Sequence, residues 1–239
     1  MKTGLSRFSL LGINMNNNEL VYRFADINFK ITSVYPYFVN FAKDYEVIDN
    51  FDYEIIDSEQ EVISWKETHE DCRGFSLEYI ETLLIHSKVA KILAKHNAFI
   101  FHGSSLYLDS LDNAYIFTAP SGTGKSTHVN ILTRLYGSRI NYVNDDKPFI
   151  KLNSDNSISL YGSPWNGKER RSNNVKARLR GIFILTRGIS NEYSLISPNE
   201  AINHLIRQIH IPIGNLETSL ASSFLINLVK NIPTYLIKV

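Results

Sequence analysis

Residues 113–128, N-A-Y-I-F-T-A-P-S-G-T-G-K-S-T-H, decide how the chain is read. The stretch opens with a β-branched and aromatic run (Tyr115, Ile116, Phe117, Thr118) and passes through small residues from Ala119 to Gly124. It then reaches Lys125, Ser126 and Thr127 where a helical pattern begins. A strand, a tight loop and a helix N-terminus in that order form a cradle for phosphate. Several backbone N–H groups must converge on one anion, which requires close approach and unusual dihedrals, and Gly122 and Gly124 permit both. Lys125 can then reach the β- and γ-phosphate oxygens and the Ser126 hydroxyl can ligate Mg²⁺, with the positive end of the helix dipole behind them. The spacing is G/A-x-x-x-x-G-K-S/T with Ala119 in first place, so Ser121, Gly122, Thr123, Gly124, Lys125, Ser126 and Thr127 are the expected nucleotide-binding residues.

Working outward, 239 residues suffice for one large domain or two small ones, and 44% hydrophobic with 21% charged residues is a globular composition. A net charge of +1 gives no general attraction to nucleic acid or membrane, and neither is expected as a partner. One cysteine, Cys72, excludes an intramolecular disulfide and a cysteine-based zinc site, which suits a cytoplasmic location. Lys2 and Arg7 flank only short apolar pieces, interrupted by asparagines at 14 and 16–18 before a secretory core could build up. No run approaches the ~18 apolar residues of a spanning helix.

Upstream, residues 1–74 read as a small β-rich module with strands at 8–13, 19–24, 28–34, 45–48, 53–56 and 61–65. Its aromatic density (Tyr35, Tyr37, Phe38, Phe41, Tyr45) reads as core packing or as a peptide-binding face. A helix follows at 75–97, capped by Ser76, with Ile80, Leu83, Leu84, Ser87, Ala90, Leu93 and Ala94 on one face. Residues 98–239 then read as an α/β domain with a mixed β-sheet and flanking helices. Its strand at 99–101 is expected to continue through 106–108 and to pair antiparallel with the strand before the loop. A helix stripe of Val129, Leu132, Leu135 and Tyr136, a strand at 140–143, a hairpin of 149–152 with 158–161, and a strand at 181–186 follow. Helices starting at Ser197-Pro198 and covering about 216–230, and a closing strand at 234–237, complete the chain.

Three features carry chemistry. Asp145 and Asp146 end an apolar strand shortly after the loop, so that one carboxylate can serve Mg²⁺ and the other act as a general base. His102 ends the strand expected beside the loop strand, where it can orient one of them or sit structurally. The segment 161–168, Y-G-S-P-W-N-G-K, reads as a shaped loop exposing Trp165, followed by a basic run (Lys168, Arg170, Arg171, Lys176, Arg178, Arg180) that reads as a solvated face or as charge for phosphate and an acidic acceptor.

H-G-S at 102–104, the loop A-P-S-G-T-G-K-S-T, the Asp pair and Y-G-S-P-W-N-G-K stand in the order seen in the catalytic domain of HPr kinase/phosphorylase. The chain resembles still more that family's compact stand-alone relatives, which include kinases tailoring ribosomally made peptides such as lasso peptides; ATP-dependent phosphoenolpyruvate carboxykinase shares the nucleotide-binding core. The resemblance covers about residues 99–186 and leaves 1–70 unmatched. It implies an HPr kinase/phosphoenolpyruvate carboxykinase-like fold and an Mg-ATP-dependent kinase acting on a hydroxyl, chiefly serine, of a peptide or small protein. It further implies that His102 orients or protonates the catalytic acid, that Asp145 is the base and that Asp146 helps hold Mg²⁺, with the two aspartates exchangeable. Trp165, Lys168, Arg170 and Arg171 are the expected acceptor-side residues. The rivals are a kinase of a small molecule such as free serine or a sugar, and a nucleotide-binding regulatory module without transfer. The reverse dephosphorylation does not follow from the resemblance, and decarboxylation is not expected. Relatives often assemble, so a homo-oligomer is an expectation.

Overall fold

A computed structural model describes residues 18–120 and 122–238; the strand expected at 8–13, Ser121 and Val239 lie outside them. Strands β1 (Glu19–Phe24) and β2 (Ile27–Thr32) form an antiparallel hairpin around Ala25 and Asp26, both at positive φ (52° and 65°), as a two-residue turn requires. Helix α1 (Tyr37–Phe41) carries the chain to β3 (Tyr53–Ile56), which pairs parallel to β2 and completes a three-stranded sheet. Two expected strands are not strands. Residues 45–48 fall at a 3-10 turn (Lys43–Tyr45) followed by a single bridge from Glu46 to Tyr22. Residues 61–65 lie inside helix α2 (Glu59–Thr68), because the Ser58 side chain accepts from Glu61 N–H while the Glu61 carboxylate accepts from Ser58 N–H. That reciprocal cap outweighs the strand propensity of Val62 and Ile63. The module therefore holds a small sheet together with two helices.

Helix α3 (Leu77–Lys95) starts at a Ser76 cap. It is buried on two sides rather than along one stripe. Ile80 and Leu84 pack with Val62 and Cys72 near α2, and Ile85, Val89 and Leu93 pack with Phe29, Ile31 and Ile55 of the three-stranded sheet.

The larger sheet has ten strands. In chain order they are β4 (Ala98–Phe101), β5 (Ser104–Leu108), β6 (Ala114–Thr118), then α4 (Lys125–Tyr136), β7 (Ile140–Asn144), β8 (Phe149–Leu152), β9 (Ile158–Tyr161), β10 (Lys176–Thr186), β11 (Glu192–Leu195), α5 (Pro198–Leu205), β12 (Ile209–His210), α6 (Asn215–Asn231) and β13 (Thr234–Lys238). The order across the sheet is β12-β4-β8-β9-β10-β6-β5-β7, with β13 also on β10 and β11 on β13. The first residues of β10 pair antiparallel with β9, and its remainder runs parallel to both β6 and β13. The β5–β6 pairing is the expected antiparallel one. However, β5 does not continue β4, which pairs with β8 and β12 instead. The chain crosses over at His102-Gly103, where a Cβ on Gly103 would lie 2.9 Å from Ile116 Cγ2 and 3.1 Å from the Phe117 carbonyl, so only glycine passes.

Alternation along β4 divides the core. Phe99 and Phe101 join Ile182, Leu205, Phe224 and Leu228 under α5 and α6, whereas Ala98 and Ile100 face the cluster of Phe24, Phe149 and Trp165 shared with the N-terminal sheet. Each large apolar side chain buried there contributes about 2–3 kcal/mol. On α4, Val129 is buried and Leu132 half-buried, but Leu135 and Tyr136 are exposed, so the expected stripe covers only the helix's first half.

Candidate active site

The loop after β6 adopts the conformation its glycines allow. Gly122 (φ 76°) and Gly124 (φ 99°) are left-handed, a Cβ at either would meet nothing within 4 Å, and Gly124 is the N-cap of α4. Helices α2, α3 and α5 are each closed by a serine side chain (Ser58, Ser76, Ser197), but no side chain caps α4 and no acidic residue occupies its first turn. Its first N–H groups are thus left for an anion. They open on a cleft of about 670 Å³ lined by Gly122 through Thr127, His102, Asp145 and Asp146 among others. Burial in the cleft lowers the Lys125 pKa against the upward pull of Asp146 and Asp145. Arg187, which sequence reading passed over, follows β10 and donates from Nη2 to the Gly122 carbonyl (3.1 Å).

The two aspartates are positioned by Asn144 at the end of β7. Its buried side chain accepts at Oδ1 from the N–H groups of Asp146 (2.8 Å) and Lys147 (2.6 Å), which bends the chain into the site. Its Nδ2 faces the Ser163 carbonyl (3.0 Å), Ser163 Oγ, the Trp165 carbonyl and Ser172 Oγ, so the same residue ties the turn to the 163–172 loop. The carboxylates then differ. Asp145 accepts from Gly167 N–H at Oδ1 (2.6 Å) and from Arg171 N–H at Oδ2 (3.4 Å). The Asp146 side chain takes no backbone N–H among the described residues, and its Oδ1 lies 3.5 Å from His102 Nε2.

His102 reaches this position from the β4–β5 crossover. Its Nδ1 lies 3.1 Å from Gln208 Oε1, which also lies 3.0 Å from Thr118 Oγ1. A carbonyl oxygen only accepts, so Nδ1 carries the hydrogen and Nε2 turns its lone pair toward Asp146 when the ring is neutral. Burial and the neighbouring Lys125 lower the His102 pKa, outweighing the opposing pull of Asp146 and the Gln208 hydrogen bond. Gln208 carries no local sequence signal: it stands 106 positions from His102 and arrives beside it only when α5 and β12 fold onto β4.

The acceptor-side expectations divide. Lys168 and Arg171 line the cleft with the loop, whereas Arg170 and Trp165 do not. Arg171 is committed to structure: Nη1 donates to Asn130 Oδ1 (2.7 Å) and to Tyr142 Oη (2.8 Å), and Nη2 pairs with Glu169. Trp165 is 3% exposed, surrounded by Phe24, Phe38, Phe41 and Phe149, with Nε1 donating to the Thr82 carbonyl (2.9 Å). It is a core residue, not an exposed ring on a loop. Lys176, Arg178 and Arg180 occupy alternate outward positions of β10, where strand periodicity puts them in solvent. Ser121 lies outside the described residues. None of the helices described is long and apolar enough to cross a membrane.

No protein-family model and no curated protein sequence matches the chain. Among solved structures it is similar to the HPr(Ser) kinase/phosphatase from Coxiella burnetii, with 13% identity over 59% of this chain and 85% of that one and a TM-score of 0.32. By its own strand order the chain is a mixed α/β fold, with a ten-stranded mixed sheet and a three-stranded sheet near the N-terminus.

Proposed function

We propose that the chain is an Mg-ATP-dependent phosphotransferase acting on a hydroxyl, chiefly serine, of a peptide or small protein, with residues 98–239 carrying the donor site and residues 1–74 helping to hold the acceptor. The observation that carries this reading is the convergence, in one cleft, of an uncapped glycine-flanked helix N-terminus, Lys125, two aspartates and His102. The residues suit a nucleotide and its metal: an anion fits the free first turn of α4, and Ser126 with an aspartate supplies hard oxygen ligands. Bound Mg²⁺ would neutralise charge building on the phosphate oxygens.

The chain's own residues divide the remaining work. Lys125 offers its charge to the transferring group. Asp145, two of whose lone pairs are taken by backbone N–H groups, holds the 163–172 loop and would offer its remaining lone pairs to the metal. Asp146, whose carboxylate pairs only with His102 among the described residues, takes the acceptor proton, which exchanges the roles implied by the resemblance. The acceptor oxygen bonds to the γ-phosphorus as the bond to ADP breaks, ADP leaves with the electron pair, and the proton passes to Asp146 beside His102 Nε2. Asp146→Asn is expected to lower transfer from labelled ATP by roughly 10²–10⁴-fold, while calorimetry shows nucleotide binding within about threefold of the parent. Loss of nucleotide affinity with the turnover of bound ATP unchanged would assign Asp146 to the metal instead.

A further inference from the structure

A second cleft of about 660 Å³ lies beside the first, between α1, the 3-10 turn after it, Tyr79 of α3 and the loop from Ser163 to Arg170. Asp146, Gly167 and Lys168 line both clefts, so the proposed base stands where they meet. Lys43, Lys147, Lys168 and Arg170 all line the second cleft, and among the described residues none of the four forms an ion pair or donates a side-chain hydrogen bond. Some cations elsewhere are paired, such as Lys30 with Glu19 and Glu54, Lys88 with Asp57 and Glu61, and Lys176 with Asp26, while Lys91, Lys95, Arg134 and Arg207 are unpaired among the described residues but scattered; the second cleft is set apart by gathering four in one concavity. With a net charge of only +1, four unpaired cations in one concavity are a local arrangement rather than a general basic bias. The acids in the lining are Asp44 and Asp146. Tyr37 and Phe41, one turn apart on α1 and 6.1 Å between ring centroids, line the cleft as a stacked aromatic pair, with Tyr37 37% exposed.

We propose that this cleft binds the acceptor as an extended peptide segment whose hydroxyl residue is flanked by carboxylate side chains. The inference rests on the phosphotransferase reading of the adjoining cleft. Carboxylates on either side of the hydroxyl meet Lys43 on one wall and Lys168 and Arg170 on the other, while an apolar neighbour lies against Tyr37 and Phe41. Asp146 repels flanking carboxylates from the meeting point itself and leaves it to the neutral hydroxyl. Transfer there makes the bond from acceptor oxygen to γ-phosphorus and breaks the bond to ADP, with the proton going to Asp146.

The test uses the full chain and three fluorescein-labelled decapeptides, each with one serine flanked by aspartates, asparagines or lysines, together with free serine. Anisotropy without nucleotide measures binding, and label from γ-labelled ATP measures transfer. The expected result is a KM for the aspartate peptide about tenfold or more below that of the asparagine peptide, with Lys43→Glu and Arg170→Glu each raising it about tenfold and leaving the KM for ATP unchanged. Equal KM values for the aspartate and asparagine peptides would overturn the acidic preference while transfer itself stands. Preferential labelling of free serine would overturn the peptide. Charge-dependent peptide binding without transfer would support the cleft and sink the phosphotransferase reading; absence of both would sink both.

Discussion

The loop at 119–124 and the turn at 144–147 supply the two halves of the proposed site by opposite means. The loop is made by its own backbone: left-handed glycines, a helix without a side-chain cap and, among the described residues, one side-chain bond from elsewhere, Arg187 to the Gly122 carbonyl. The turn is made by its surroundings, since Asn144 is fully buried and bonded to residues 19, 21 and 28 positions away. A donor site that meets a flexible, strongly charged group can be local. A base that must meet one hydroxyl is held by a network.

The difference can be broken from either side. Lys125→Ala is expected to lower kcat/KM roughly 10³-fold with the denaturation midpoint in urea almost unmoved; a large loss of stability would show that the loop is not self-supporting. Asn144→Ala is expected to cost about 3 kcal/mol in urea unfolding, because it leaves buried amides and hydroxyls without partners. A cost under about 1 kcal/mol would remove Asn144 from the centre of the turn.

In the core His86 lies against Trp165 and His210, its Nε2 without a hydrogen-bond partner among the described residues. Burial, and then the positive charge of Lys147 and the neighbouring His210, hold its pKa well below the ordinary 6.5. The unfolded chain therefore takes up a proton that the folded chain refuses, so stability falls as pH drops below 6.5, by about 1.4 kcal/mol per unit from this group. His86→Phe is expected to flatten the acid side of the stability curve; an unchanged slope would mean that His86 titrates normally. Gln208→Leu is the mildest change, with about a tenfold loss in kcat. Its acid limb is expected to move to lower pH, because the Oε1 hydrogen bond favours the protonated ring. An unshifted limb would leave Gln208 with a packing role only.

Legibility in the sequence followed the same division. The strand, loop and helix around Lys125 were readable because periodicity and glycine placement are local, and so was the hairpin of β8 and β9 around its Asn-Ser-Asp-Asn turn. Asp145 and Asp146 were readable as candidates, but not their different surroundings, which depend on Gly167, Arg171 and His102. Trp165 was misread because glycine and proline mark a bend without saying whether it is covered; the cover comes from Phe24, Phe38 and Phe149. For α2 the strand propensity of Val62 and Ile63 points the wrong way, while the deciding signal, the Ser58–Glu61 reciprocal cap, is present in the sequence. Gln208, Lys43 and Lys147 had no such signal, since only the folded chain places them beside the site.

One consequence of strand β10 concerns the order in which the molecule is made. β6, which leads into the loop, is flanked by β5 on one side and by β10 on the other, and Thr118 at its end also bonds to Gln208, 90 positions later. A growing chain that has just completed the glycine loop therefore has the proposed donor loop without the strand and the glutamine that seat it. A nucleotide bound as proposed would therefore stabilise only a chain that has reached β12, whose pairing with β4 is itself non-local.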